Sequence, residues 1–71
     1  MKQQVYIKNS IREARKKRKV TQNELAESLS VSRQTIVFLE KGNYTPSLLL
    51  ALKASHYFHE PIENLFYIEQ K

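Results

Sequence analysis

One stretch of this chain places three unusual side chains on what its spacing predicts to be the outer side of a helix. The stretch covers residues 30–43 and reads SVSRQTIVFLEKGN, with Ile36 on the opposite, apolar side. Arg33 and Gln34 each offer two parallel hydrogen-bonding groups, which match guanine and adenine edges, and Phe38 matches a thymine methyl group. The alternative is that Arg33 and Gln34 are helix formers on a solvated surface and that Phe38 packs against protein.

The residues before this stretch predict two helices that lead into it. Ser10 followed by Glu13 predicts a capping box and a helix to about residue 18, and Thr21 followed by Glu24 predicts another through residue 29. Only residues 30–31 separate this second helix from the third. So short a connection cannot leave the two helices antiparallel, and it favours the crossed pair of a helix-turn-helix.

Helix signals continue to the end of the chain. Ser32 is the expected N-cap of the third helix, and Gly42 supplies the left-handed residue that ends it. Thr45 and Pro46 predict the N-cap and first residue of a fourth helix to about residue 58. A fifth helix is expected near Pro61.

The two ends of the chain have a different composition. The segments QVYIK (residues 4–8) and FYIEQ (residues 66–70) are rich in β-branched and aromatic residues. They predict a two-stranded ribbon, which must pack on the helices or on another subunit to be stable. A disordered N-terminus is the alternative.

Length and charge indicate how many domains the chain has and what kind of partner it binds. A chain of 71 residues predicts one domain, and seven of its 12 lysines and arginines lie within residues 8–19. With a formal net charge of +5, such a basic run favours nucleic acid as the partner, although a charge run alone is more typical of a solvated helix face. No apolar run spans a bilayer and no signal peptide is recognisable, which predicts a cytoplasmic protein.

Enzyme and metal chemistry are poorly supported. The chain contains no cysteine and no aspartate, and no nucleophile–base pair or phosphate loop is recognisable. His56 and His59 have a spacing that can hold a metal on a helix, but without nearby carboxylates they are better interpreted as surface residues. The sequence therefore predicts neither an enzyme nor a cofactor.

The segment TQNELAESLSVSRQTIVFLEKGNYTPSLLLALK resembles the helix-turn-helix of the lambda-repressor/Cro-like superfamily. The resemblance covers residues 11–66, and the strand-like ends resemble small dimeric repressors similar to the cytolysin repressor. It implies an all-α, five-helix lambda-repressor-like domain over residues 1–71, with an antiparallel ribbon formed by the termini. The helix-turn-helix would lie at about 21–41 and its recognition helix at about 32–41.

The resemblance also implies roles for individual residues. Gln22 and Ser32 would contact phosphate, with Gln22 also touching a neighbouring recognition residue, while Thr35 would make a backbone contact beside the base-reading side chains. Arg15 and Glu40 would form a buried pair joining the first helix to the recognition helix. The full set predicted to contact DNA is Gln22, Ser32, Arg33, Gln34, Thr35, Phe38, Lys41, Asn43, Tyr44 and Thr45.

The fourth helix and the segment after it raise the question of a dimer. The run from Leu48 to Leu52 is too apolar to face the core on all sides, and Leu49 stands where relatives tend to be polar. Either a second subunit or the terminal ribbon is expected to cover it. The resemblance places a dimer interface near the fifth helix, although two of its apolar residues are equally suited to completing the core. The interface candidates are Ile62, Asn64, Leu65 and Tyr67.

Taken together, the residues and the resemblance predict a homodimeric repressor. It would bind double-stranded DNA at an inverted-repeat operator through the major groove, with no membrane contact and no small-molecule effector domain. Two alternatives stay open: an antitoxin-type regulator that also covers a toxin, and a protein-binding module without DNA recognition.

Overall fold

The computed structural model describes residues 5–42 and 44–70 and contains five helices flanked by two strands. The all-α architecture with a small antiparallel ribbon is therefore confirmed. In chain order, the elements are β1 (Val5–Asn9), α1 (Ile11–Arg18), α2 (Gln22–Leu29), α3 (Arg33–Lys41), α4 (Leu48–Phe58), α5 (Ile62–Leu65) and β2 (Phe66–Gln70).

The capping prediction is confirmed for α2 and wrong for α1. At α2, the Thr21 hydroxyl accepts from the Glu24 N–H at 3.0 Å, and the Glu24 carboxylate accepts from the Thr21 N–H at 2.7 Å. Ser10 makes no such cap, because its hydroxyl donates to the Asn64 carbonyl instead. Asn9 supplies the missing acceptor, since its side-chain oxygen accepts from the first N–H of α1 at 3.1 Å.

The start of α4 also differs from the prediction. Ser47, rather than Thr45, is the N-cap, because its hydroxyl accepts from the Leu50 N–H at 3.1 Å. Pro46 consequently lies outside the helix. The shift leaves residues 44–47 as an irregular segment after α3.

The core draws on all five helices and on β2. It is formed by Ile11, Leu25, Ala26, Leu29, Ile36, Leu39, Leu50, Ala51, Ala54, Phe58, Leu65 and Phe66. No polar or charged residue of the described part of the chain is buried with them. Lys53 adds a polar link at the edge, because its ammonium group donates to the Leu29 carbonyl at 3.2 Å and satisfies the C-terminal end of α2.

The two ends of the chain pair as an antiparallel ribbon. Asn9 lies opposite Phe66 and Ile7 opposite Ile68, so β1 and β2 lie side by side. Phe66 is buried in the core and Ile7 packs against it, which supplies the support that an isolated ribbon needs. Gln4, with which the first strand was predicted to begin, lies outside the described residues.

Within the two described ranges, no helix is both long and apolar enough to cross a membrane.

Candidate nucleic-acid interface

A tight turn sets the crossing of α2 and α3. Ser30 takes a left-handed conformation, with φ 58° and ψ 44°, and its N–H bonds back to carbonyls of the last turn of α2. The Val31 N–H donates to the Ala26 carbonyl at 3.0 Å, and the Val31 side chain packs against the core. The chain therefore changes direction within two residues, and α2 and α3 pack against each other, as in a helix-turn-helix.

The buried side of α3 determines which residues face outward. Ile36 and Leu39 are fully buried, whereas Arg33 and Gln34 in the first turn are exposed. Phe38, one turn further on, keeps 47% of its surface exposed although it is a large apolar residue. The first turn and the Phe38 side chain thus form a free surface that combines hydrogen-bonding groups with an apolar ring.

The N-terminus of α3 is capped in a way that leaves it accessible. The Ser32 hydroxyl accepts from the Thr35 N–H at 3.2 Å and lies 3.0 Å from the Thr35 hydroxyl. Because Ser32 is exposed and the start of a helix carries partial positive charge, this end of α3 suits a negatively charged partner.

A hydrogen-bonded network beneath α3 fixes its position. Arg15 donates to both carboxylate oxygens of Glu40, from Nε at 2.7 Å and from Nη2 at 3.2 Å, and it also donates to the Val20 carbonyl. The Arg15 and Glu40 side chains are only 13% and 5% exposed. The structure thus places these two residues in the contact that the resemblance implies, and the pair joins α1 to α3.

Gln22 belongs to the same network. Its amide nitrogen donates to Glu40 Oε1 at 3.1 Å, which ties the start of α2 to the pair. The resemblance implies that Gln22 also contacts phosphate and a neighbouring recognition residue, and both contacts stay predictions. Because Glu40 accepts one amide hydrogen of Gln22, only the other amide hydrogen is left to donate to an external acceptor such as a phosphate oxygen.

The far edge of the surface is formed by the end of α3 and the loop after it. Lys41 and Thr45 are exposed, and Tyr44 is half-buried with its side chain packed against the core. Asn43, also predicted to contact DNA, lies outside the described residues.

One cation near this edge was missed by the sequence analysis. Arg12 is exposed on α1 and lines a cleft together with Gln22 and Lys41. Arg12 lies three residues before Arg15, and residues three apart share a helix face. This spacing could have shown that Arg12 lies on the side of α1 that faces the recognition helix. Arg18, by contrast, points elsewhere, because its guanidinium lies 4.8 Å from the centre of the Tyr57 ring.

The predicted dimer residues divide into buried and exposed. Leu65 is 2% exposed and belongs to the core, so it has no surface to offer a partner. Ile62 is half-buried against the core, Asn64 is exposed and bonded to Glu60, and Tyr67 is 50% exposed on the ribbon.

The apolar side of α4 is open. Leu48, Leu49 and Leu52 are 71%, 63% and 50% exposed. The terminal ribbon therefore does not cover Leu49, and this face of α4 is exposed in the single chain.

The histidines do not form part of a metal site within the described residues. His56 and His59 are both exposed at the end of α4, and no group of three or more side chains suited to metal binding occurs in residues 5–42 and 44–70.

Helices α2 and α3 are joined by a two-residue turn, and α3 is capped, exposed in its first turn and held in place by the Arg15–Glu40 pair. These features define a DNA-binding helix-turn-helix domain, a class without enzymatic activity. The pattern that characterises the helix-turn-helix family matches residues 11–65 of this chain. The chain belongs to this family, within the lambda-repressor/Cro-like superfamily.

Several relatives are similar over nearly their whole length. A protein of Archaeoglobus fulgidus, named an uncharacterized HTH-type transcriptional regulator, is 49% identical over 65 residues, which cover 92% of this chain and 93% of the relative. A Bacillus subtilis protein with the same kind of name is 42% identical over 65 residues, 92% of this chain and 98% of its own. A Methanocaldococcus jannaschii relative is 46% identical over 63 residues, 89% and 96% of the two chains. Together with the fold, they identify this chain as a DNA-binding transcriptional regulator.

Proposed function

We propose that this regulator is a dimeric repressor that binds an inverted-repeat operator through the major groove. The observation that carries the proposal is the arrangement of α3: Ile36 and Leu39 hold one side in the core, while Arg33 and Gln34 project freely from the first turn. An exposed helix of this length fits the major groove, whose base edges are distinguishable by arginine and glutamine.

Each side chain has a role in this proposal. Arg33 donates two hydrogen bonds to a guanine, Gln34 exchanges two with an adenine, and Phe38 lies against a thymine methyl group. Ser32, Thr35, Lys41 and Thr45 contact the flanking phosphates, which set the register without reading sequence.

Dimerisation follows from the small number of base contacts. Three side chains on one short helix distinguish too few base pairs to select a site in a genome, and two-fold symmetry doubles the site. The two copies of α3 would then enter adjacent major grooves on one face of the duplex, roughly 34 Å apart. Bound at a promoter, such a dimer would repress by excluding polymerase.

Selection of duplexes from a random DNA pool, followed by sequencing, tests this proposal. At moderate salt, we expect enrichment of an inverted repeat whose half-site centres are separated by about one helical turn. A variant lacking both Arg33 and Gln34 side chains, R33A/Q34A, is the matched control, because it leaves the buried side of α3 unchanged.

The outcomes separate the parts of the proposal. Enrichment of a single half-site would support base reading by α3 and contradict the dimer. An identical enriched sequence from R33A/Q34A would contradict base reading by these residues. No enrichment with the native protein would contradict sequence-specific binding altogether.

A further inference from the structure

A cleft lies between α1 and α3, beyond the predicted base-reading surface. It is lined by Arg12, Arg15, Gln22, Val37, Glu40 and Lys41. Three of these residues are cations and one is an anion, so the cleft has an excess of positive charge. The resemblance assigns DNA contact to Gln22 and to Lys41 separately and gives Arg12 no role.

The positive charge of the cleft is concentrated on two residues. Arg15 is neutralised by Glu40, and its Nε, Nη1 and Nη2 atoms all donate hydrogen bonds within the protein. Arg12 and Lys41 are exposed and form no ion pair with a carboxylate of the described part of the chain. Their charges are therefore available to an external anion.

The surrounding chain strengthens the attraction for an anion. Gln22 is the first residue of α2, so the cleft also adjoins the partially positive end of that helix. Glu40 is the one carboxylate lining the cleft, and its two oxygens already accept from Arg15 and Gln22.

The distance between Arg33 and Lys41 along α3 indicates that the anion is a phosphate of the DNA backbone. Lys41 follows Arg33 by eight residues, which is about 12 Å along a helix axis. The major groove is itself about 12 Å wide. If α3 runs across the groove with its first turn on the base edges, its last turn and the adjoining cleft lie at the sugar-phosphate backbone.

We propose that Arg12 and Lys41 together bind one backbone phosphate of the DNA in this cleft. The Arg12 guanidinium donates two parallel hydrogen bonds to the phosphate oxygens, and the Lys41 ammonium supplies a second positive charge. The contact anchors α1 as well as α3, so it fixes the orientation of the domain on the duplex. The inference rests on the proposed DNA binding and assigns a further phosphate-binding residue to it.

The test compares Arg12→Gln with Lys17→Gln. Both remove one positive charge from exposed positions of α1, but Lys17 lines a different surface together with Glu13 and Glu60. Binding is measured on the duplex enriched from the random pool and on a scrambled duplex, over a range of salt concentrations. Thermal unfolding of each variant checks that the fold is retained.

We expect Arg12→Gln to weaken binding about tenfold for each bound subunit on both duplexes, as the loss of one charge-assisted hydrogen-bonded contact implies. The slope of log K against log salt concentration should become shallower by about one for each bound subunit. Lys17→Gln should change the slope by much less, and Arg12→Lys should preserve most of it, because the charge remains.

The results distinguish this inference from the proposed function. Equal slopes for Arg12→Gln and Lys17→Gln, with selective binding retained, would overturn the phosphate contact and leave the base-reading proposal intact. A loss confined to the enriched duplex would also overturn it, because a phosphate contact does not depend on sequence. If the native protein enriched no duplex from the pool and did not bind random DNA, both proposals would be overturned.

Discussion

At the scale of single residues, two arginines differ in burial and in hydrogen-bond partners. Arg15 is largely buried, and its guanidinium donates to Glu40 and to a backbone carbonyl. Arg33 is exposed and has no ion-pair partner among the described residues. Since a guanidinium always carries its charge and its donors, Arg33 is the residue with unused hydrogen-bonding capacity, whereas Arg15 has the structural role.

A first prediction concerns Arg33. Arg33→Ala should cost about 1–3 kcal/mol on the enriched duplex and relax the preference at one base position of each half-site. Competition binding with duplexes that vary that position measures both effects. Equal losses on enriched and scrambled DNA would show that Arg33 contacts phosphate rather than a base.

A second prediction concerns Glu40. Glu40→Ala removes the carboxylate that accepts from Arg15 and Gln22 and leaves the Arg15 charge largely buried without a counter-ion. We expect a loss of about 3 kcal/mol in the free energy of unfolding, which lowers Tm by more than about 10 °C in a domain of this size.

Thermal unfolding followed by circular dichroism measures this effect. Glu27→Ala is the control, because Glu27 is an exposed glutamate that makes no ion pair within the described residues. If both variants unfolded at the native temperature, the Arg15–Glu40 pair would have no stabilising role.

At the scale of helices, three helices end at left-handed residues that are not glycine, the usual residue in this conformation. Lys19, Ser30 and His59 adopt left-handed conformations, as Gly42 does. For a residue with a side chain, this conformation costs roughly 1 kcal/mol. The three helices α1, α2 and α4 thus end at positions where glycine would be less strained, and the cost is offset by the hydrogen bonds and core packing that each turn allows.

A third prediction concerns the turn between α2 and α3. Ser30→Gly should raise Tm by a few degrees, because glycine removes most of the left-handed penalty, although the greater freedom of the unfolded chain offsets part of the gain. Ser30→Ala is the control and should give no increase, since alanine retains the Cβ. An unchanged Tm for Ser30→Gly would mean that the left-handed conformation of Ser30 is not a source of strain.

At the scale of the whole molecule, the unpaired surfaces fall into two kinds. One is basic and surrounds the first turn of α3 and the Arg12 cleft. The other is apolar and includes Tyr67 and Ile68 on the ribbon, 50% and 68% exposed, and the three leucines of α4. A small domain with this much exposed apolar surface is suited to association with another protein surface.

A fourth prediction distinguishes the two apolar regions as dimer surfaces. Tyr67→Lys, on the ribbon beside α5, should shift the protein from dimer to monomer, because it places a charge in the predicted interface. Leu49→Lys, on α4, should leave the dimer intact. Sedimentation equilibrium of both variants measures the association constants.

Two outcomes would contradict the dimer prediction. Dissociation by Leu49→Lys alone would move the interface to α4, and a native protein that stays monomeric at high concentration would exclude the dimer. A stable dimer should also show a Tm that rises with protein concentration.

The sequence by itself determined the elements and their order. Thr21 with Glu24, Ser32 and Gly42 are local signals, each acting through hydrogen bonds or backbone conformation within a few residues, so they predicted where α2 begins and where α3 begins and ends. The two-residue connection and the 3.6-residue spacing of apolar positions then indicated the crossed helix pair and its outer surface.

Only the tertiary structure decided which partner each polar group takes. Ser10 had the sequence of a capping residue, but the end of α5 brings the Asn64 carbonyl close to its hydroxyl, and Asn9 caps α1 in its place. Leu65 looked equally suited to an interface or to the core until packing placed it inside. Arg12 gained its proposed role because α1 and α3 form a cleft together. These outcomes depend on contacts between residues far apart in the chain, which no local pattern of residue types encodes.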